Sequence, residues 1–395
     1  MSTAVMPVVS PAIEGSQAGI GARRRSFPFL NLAAQYAEIE EPVRAALDRV
    51  LKTQVFILGE EVRAFEAEVA AFLGVPHAIG CASGSDALLL SLMALKIGPD
   101  DEVITTPFTF VATVGAIVRL GARPVFVDIN PVTFNIDAGQ IKSAITSRTR
   151  AIIPVHLFGL AAKMNRIMEV AAAANIPVVE DAAQAIGAHY RGRPVGSFGA
   201  TGCFSFFPSK NLGGAGDGGL ITTTDATLAE RLRLLRAHGA KNKYHYDVIG
   251  INSRLDSLQA AILRAKLPYL NRWSESRQNN AERYRALFAE AGLLDVITLP
   301  VSPAESIHVY NQFTIRIRDR DRLRDFLQQR GIPSEIYYPV PLHLQRAFEF
   351  LGNKQGQFPE CEAASREVLS LPIDPSLQPQ QQAEVVGAIA EFYGR

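Results

Sequence analysis

The chain of 395 residues predicts an α/β protein, with a large domain built on a mainly parallel sheet between helices and a smaller C-terminal α+β domain. Three observations carry this expectation. Short apolar runs alternate with helix-like stretches between residues 77 and 223. Residue types suited to chemistry collect just after those runs, where ligands of open α/β sheets bind. A second alternation, of strand and helix patterns, resumes near residue 308. Residues 1–28 predict a flexible tail, 29–270 the large domain and 271–395 the small one.

Residues 1–26 mix Pro, Gly, Ser and Ala and end in Arg23, Arg24 and Arg25, whereas a secretory signal carries its charges before an apolar core. Helical spacing follows at 36–52 and 60–73, where Val62, Phe65, Val69 and Phe72 share a face. Residues 77–81 form a strand, and Ser83-Gly84-Ser85-Asp86 then opens a helix through Leu95. A small-residue turn at a helix N-terminus is a ready phosphate site, though simple capping by Ser83 or Ser85 fits the same residues. Strands at 102–106, 124–128, 151–155 and 177–180 alternate with helices at 109–120, 137–146 and 163–174. Residues 253–291 are helical with a break at Pro268. The small domain is predicted from a strand pattern at 308–317, a helix at 321–330, a strand near 333–338 and a helix at 376–393.

The stretch 201–223, TGCFSFFPSKNLGGAGDGGLITT, reads as strand, loop and strand with one amine, Lys210, at the turn. Desolvation beside the end of a buried strand lowers a lysine's pKa and frees its lone pair for Schiff-base chemistry. An ordinary surface-loop lysine fits that stretch as well. Asp181 follows another apolar run and is expected in the same crevice, either as a chemical partner or as half of a structural salt bridge. A lysine and a carboxylate at neighbouring strand ends are what pyridoxal phosphate chemistry requires. A salt bridge alone leaves the phosphate turn unexplained.

Composition narrows the field. Hydrophobic residues make up 48% and charged residues 20%, an ordinary globular balance. Forty Lys and Arg against 39 Asp and Glu leave a formal charge of +1, which gives no global attraction to nucleic acid or anionic membrane. No apolar run approaches the ~20 residues of a membrane span. Three scattered cysteines argue against a disulfide framework, and a reducing cytoplasm is the expected compartment. His156, His189, His238 and His245 lack metal-ligand spacing, so no metal is expected. Gly213 to Gly219 lacks Walker spacing and supplies backbone freedom near Lys210.

Four blocks, ASGSDAL at 82–88, EDAAQAIGA at 180–188, FSFFPSKNLGGAGDGG at 204–219 and INSRLDSLQAA at 251–261, closely resemble the DegT-type sugar aminotransferases, which are fold type I pyridoxal phosphate enzymes. The resemblance runs in order from about Phe29 to the C-terminus. It implies that Lys210 is the Schiff-base lysine, Asp181 the partner of the pyridine nitrogen and Gln184 a neighbour of the ring hydroxyl. Gly84, Ser85 and Ser205 match phosphate ligands, and Phe110 matches the aromatic stacked on the ring. Asn252 matches an asparagine that reaches the phosphate of the neighbouring subunit, which implies a homodimer with shared sites. Arg254, Tyr338 and His343 are substrate-side candidates. For Arg254 and His343, a solvated arginine and a polar loop histidine are the plain alternatives.

The resemblance implies amino transfer from L-glutamate to a keto group of a nucleotide-linked sugar. The blocks TTPFTFVAT, SFFPSKNLG and INSRLDSLQAAIL look most like members acting at C3, which make UDP-linked 2,3-diamino sugar acids or dTDP-linked 3-amino-dideoxy sugars. Amination at C4, as in perosamine-type synthases, is the alternative. A relative with histidine in place of the lysine would dehydrate sugars instead, but Lys210 is present. A non-catalytic regulatory protein on the same fold is the alternative from another class.

Overall fold

The computed structural model describes residues 27–395. The predicted tail therefore falls, up to residue 26, outside the described residues. Phe27, assigned to that tail by the sequence, is buried in the C-terminal core, where its ring gains more by leaving water than by staying mobile.

Seven strands build the main sheet: β1 His77–Cys81, β2 Glu102–Thr105, β3 Arg123–Phe126, β4 Thr149–Ile152, β5 Val179–Asp181, β6 Thr201–Ser205 and β7 Gly219–Thr223. Their order is β1-β7-β6-β5-β4-β2-β3, with β4 and β5 joined by the parallel bridges Ile152 to Val178 and Val155 to Asp181. Only β7 runs antiparallel to its neighbours, β1 and β6, because the loop after β6 turns the chain straight back. The remaining pairs are parallel, as expected.

Side chains alternate across the sheet with a period of two. Ile104, Ile152, Phe204 and Leu220 enter one core with helices Glu60–Phe72 and Met164–Ala174. Val103, Ala151, Cys203 and Ile221 enter the other, with helices Gly84–Ala94 and Ala226–Leu235. Each fully buried Leu, Ile or Phe contributes about 1.5–3 kcal/mol. Helix Gly84–Ala94 is apolar nearly all round because it is enclosed by the sheet and by helices Val111–Arg119 and Ala226–Leu235.

Helix Leu270–Glu290 begins with Leu270 in the large core and continues with Ala281, Tyr284 and Phe288 in the C-terminal one. That core also holds β8, Phe313–Arg316, paired antiparallel with β9, Val368–Leu371, and helices Arg320–Gln329 and Pro379–Phe392. Two expectations need correction. Residues 333–338 make one bridge, Glu335 to Ser370, instead of a strand, because Pro333 at one end and Pro339 and Pro341 beyond the other lack the N–H groups that would extend the ladder. The helix expected at 137–146 shrinks to one turn, Ile141–Ala144, because the Asp137 carboxylate accepts from Gly139 N (2.9 Å) and from Gln140 Nε2 (2.8 Å) and holds a turn there.

Candidate active site

Lys210 sits in loop 206–218, which joins the carboxyl end of β6 to the start of β7. Phe206 N donates to Gly218 O and Gly214 N to Phe206 O, each at 2.8 Å, so the loop closes on its own backbone. Inside it, Lys210 N donates to Phe207 O at 2.8 Å. A Cβ at Gly213 would stand 2.3 Å from Pro208 O, so the turn carrying Lys210 closes this tightly only with glycine there.

Two residues of helix Ser257–Lys266 hold this loop from outside. Lys266 Nζ donates to Gly213 O at 2.6 Å, and Ala215 N donates to Gln259 Oε1 at 2.8 Å. Sequence reasoning missed both. Their separation of seven residues, two turns on one helix face, was the available signal.

Lys210 keeps an opening to solvent, but the protein around its amino group lowers its pKa from 10.5 to about 8, with the Asp181 carboxylate pulling the other way. Asp181 acts on it through space, without a hydrogen bond. Asp181 is itself buried, which pushes its carboxyl upward; Thr113 Oγ1, donating to Oδ2 at 2.7 Å, and Ala183 N, donating to Oδ1 at 3.2 Å, oppose that rise. Behind it His156 and Glu180 form a fully buried pair at 3.0 Å. Ala162 N donates to His156 Nδ1, so the imidazole proton lies on Nε2, toward Glu180. Glu180 also accepts from the backbone N–H groups of Gly196, Phe198 and Gly199. His156 thus orders the strand end behind Asp181.

Ser83 caps helix Gly84–Ala94 by accepting from Asp86 N at 3.1 Å, which frees Ser85 from capping. A Cβ on Gly84 would lie 2.6 Å from Ser205 Cβ, and one on Gly219 would lie 2.2 Å from Ser83 O. The turn, Ser205 and the start of β7 are therefore pressed together around unpaired helix N–H groups, an arrangement fitted to a phosphate.

Phe110, 55% exposed, precedes helix Val111–Arg119 and leans on Tyr338 with ring centres 6.2 Å apart. Gln184 ties Tyr338 into the same wall: its Nε2 donates to Tyr338 Oη at 3.2 Å while its Oε1 accepts from Phe158 N at 2.6 Å. Asn252 is exposed and Arg254 half-buried. Ser253 between them accepts from Ala82 N at 3.1 Å, which anchors this segment beside the phosphate turn. His343 is a correction. Its ring is buried against Phe358 and pairs with Glu362 at 3.1 Å, an arrangement that closes it to a substrate and equally to the solvent expected of a loop histidine. No cluster of three metal-ligating side chains occurs among the described residues.

A lysine with a pKa of about 8, a buried carboxylate, a phosphate-fitted helix N-terminus and a half-exposed aromatic at the carboxyl ends of the strands define a pyridoxal phosphate-dependent aminotransferase of fold type I. The chain belongs to the DegT/DnrJ/EryC1/StrS aminotransferase family, whose profile matches residues 37–390. It is 51% identical to the "Pleiotropic regulatory protein" of Geobacillus stearothermophilus over 93% of this chain and 98% of that one. It is 47% identical to the UDP-N-acetyl-3-dehydro-α-D-glucosamine 3-aminotransferase of Acidithiobacillus ferrooxidans, over 92% of this chain and 97% of that one. Among solved structures it is similar to DesV of S. venezuelae in complex with a ketimine intermediate, with a TM-score of 0.91, 44% identity and coverage of 94% of this chain and 100% of that one.

Proposed function

We propose that this protein moves an amino group from L-glutamate to the C3 keto group of a UDP- or dTDP-linked sugar, and that it does so as a homodimer. The observation that carries the proposal is Lys210, a lysine whose pKa of about 8 lets it take and return a proton near neutral pH. C3 follows from the 3-aminotransferase relative.

In this scheme Gly84, Ser85 and Ser205 hold the cofactor phosphate, Asp181 keeps the pyridine nitrogen protonated, Phe110 covers one ring face and Gln184 borders the ring hydroxyl. Bound pyridoxal phosphate supplies the electron sink that lets a proton leave the carbon bearing the amine. Lys210 accepts that proton as a neutral amine and delivers it as an ammonium. Burial of the Asp181 carboxylate, offset by its two donors, strengthens its hold on a proton-bearing nitrogen. Tyr338 and Arg254 border the sugar, Arg254 facing its diphosphate or a sugar carboxylate.

Asn252 reaches the phosphate of the partner subunit. Leu51, Val55, Phe56 and Ile57 support this, since they form an exposed apolar strip whose backbone pairs with Asp256 and Ser257, next to the Asn252 segment. We place the enzyme in the cytoplasm, consistent with free buried thiols at Cys81, Cys203 and Cys361 and with the lack of a membrane-length apolar helix among the described residues. Its amino sugar would serve surface polysaccharide, lipopolysaccharide or glycosylated metabolites.

The test is a half-reaction. The protein loaded with pyridoxal phosphate receives L-glutamate alone, and its visible band is followed together with 2-oxoglutarate release. Conversion supports the proposal, and a panel of 3-keto and 4-keto sugar nucleotides, with and without a carboxylate, then fixes the acceptor. An unmoved band with every donor would instead favour a regulatory role, the reading suggested by the name of the 51% identical relative.

A further inference from the structure

Asp181 does not stand alone at the end of β5. Thr113 is fully buried in helix Val111–Arg119 and spends its only hydroxyl proton on Asp181 Oδ2, at 2.7 Å. Its oxygen also lies 2.9 Å from the hydroxyl of Thr109, which is buried too. Because the Thr113 proton is already committed, the proton in the second contact belongs to Thr109. The direction of the chain is thereby fixed, from Thr109 to Thr113 to the carboxylate. Phe110 lies on the same turn, so one stretch of five residues carries both the exposed aromatic and the hydroxyl chain.

We propose that Thr113, backed by Thr109, is a positioning residue that holds Asp181 in its ionised form and in one rotamer, so that the proton shared with the cofactor's ring nitrogen stays on the nitrogen. This rests on the reading of Asp181 as partner of the pyridine nitrogen. The physical reason is the burial of the carboxylate. A buried carboxylate with fewer donors becomes more basic, and the shared proton then moves from nitrogen to Asp181 Oδ. No bond to carbon changes in that shift; one N–H bond is exchanged for one O–H bond. The residual donor, Ala183 N at 3.2 Å, is the longer of the two contacts and cannot replace the hydroxyl.

The test uses full-length holoenzyme reconstituted with pyridoxal phosphate labelled with ¹⁵N in the ring, whose nitrogen shift reports protonation directly. Thr113→Val, nearly the same shape without the hydroxyl, should move that shift toward neutral pyridine and lower kcat about tenfold with KM for L-glutamate little changed. Thr113→Ser should restore both, and Thr109→Val should move both in the same direction by less. If Thr113→Val fails to fold, Thr113→Ser and Thr109→Val still decide. A protonated signal in Thr109→Val identical to wild type would then overturn the relay. Equal losses in Thr113→Ser and Thr113→Val would also overturn it, since volume alone would be at work. Asp181→Asn separates the two readings: if it leaves the nitrogen signal and kcat unchanged, the assignment of Asp181 fails. If it loses both while Thr113→Val does not, only the relay fails.

Discussion

Lys210 is carried by the glycine-rich loop 206–218 and Lys266 holds that loop from the neighbouring helix, and burial brings each from a pKa of 10.5 to about 8. Their surroundings differ. Lys266 is the more buried by surface, its ammonium is committed to Gly213 O at 2.6 Å, and no carboxylate offsets its burial. Lys210 keeps an opening to solvent and has Asp181 as a through-space counterion. A depressed pKa therefore marks desolvation in both, while reactivity needs an unoccupied lone pair with room before it, which only Lys210 has. On the proposed function the two divide the labour, Lys210 reacting and Lys266 fastening the loop that presents it.

The sharpest way to break this contrast is to exchange the losses. Lys210→Ala should lower turnover by at least about 10³-fold and abolish the visible cofactor band while the far-ultraviolet circular dichroism stays native. Lys266→Met should keep a visible band in the same assay. If both variants lose the band equally, the division fails.

Stability should show the reverse ranking. Well above pH 10.5, where Lys266 is neutral in both states, Lys266→Met should lower the unfolding free energy by about 1–3 kcal/mol because Gly213 O loses its donor. Urea titrations at several pH values sharpen this. The folded pKa of about 8 lies below the unfolded 10.5, so between these values the unfolded chain binds the extra proton and wild-type stability rises with pH relative to Lys266→Met. A difference that is flat from pH 7 to 11 would show that Lys266 is not desolvated.

In the cofactor-free protein, acylation of Lys210 read by peptide mass spectrometry should have its midpoint near pH 8, with Lys266 labelled far more slowly at every pH because it is enclosed. The smallest effect expected is that of Gln259→Ala, which removes the acceptor of Ala215 N at the exposed end of the loop. It should cost about 0.5–1.5 kcal/mol and speed amide exchange in 213–216 without altering the band.

Much of this contrast is invisible along the chain. Lys210 could be singled out because its signals are local: a strand, a proline, an amine and glycines in sequence. For the same reason β1 matches its expected bounds and β7 closes the stretch 201–223 as the second strand read there. Lys266 looks like any lysine on an amphipathic helix, and only the packing of that helix against loop 206–218 buries it. Thr113 likewise reads as one more small residue of an apolar helix until β5 brings Asp181 alongside. In the C-terminal core, β9 is not legible because it follows helix Pro359–Glu367 without a break and finds its partner, β8, more than fifty residues away. The proline-rich segment before it attracted the strand assignment because Ile336, Tyr337 and Tyr338 favour extended backbone, although the flanking prolines forbid a ladder.

The antiparallel course of β7 has a practical consequence. Ser205 pairs with Gly219, so the loop bearing Lys210 begins and ends on facing residues of one hairpin. For an engineer this makes 205–219 a self-closing cassette. Exchanged between relatives as a block, it should leave the register of the sheet undisturbed, provided the graft brings its glycines with it, the recipient helix offers an amine and an amide at the positions of Lys266 and Gln259, and the Val309 carbonyl that accepts from Asn211 Nδ2 is kept.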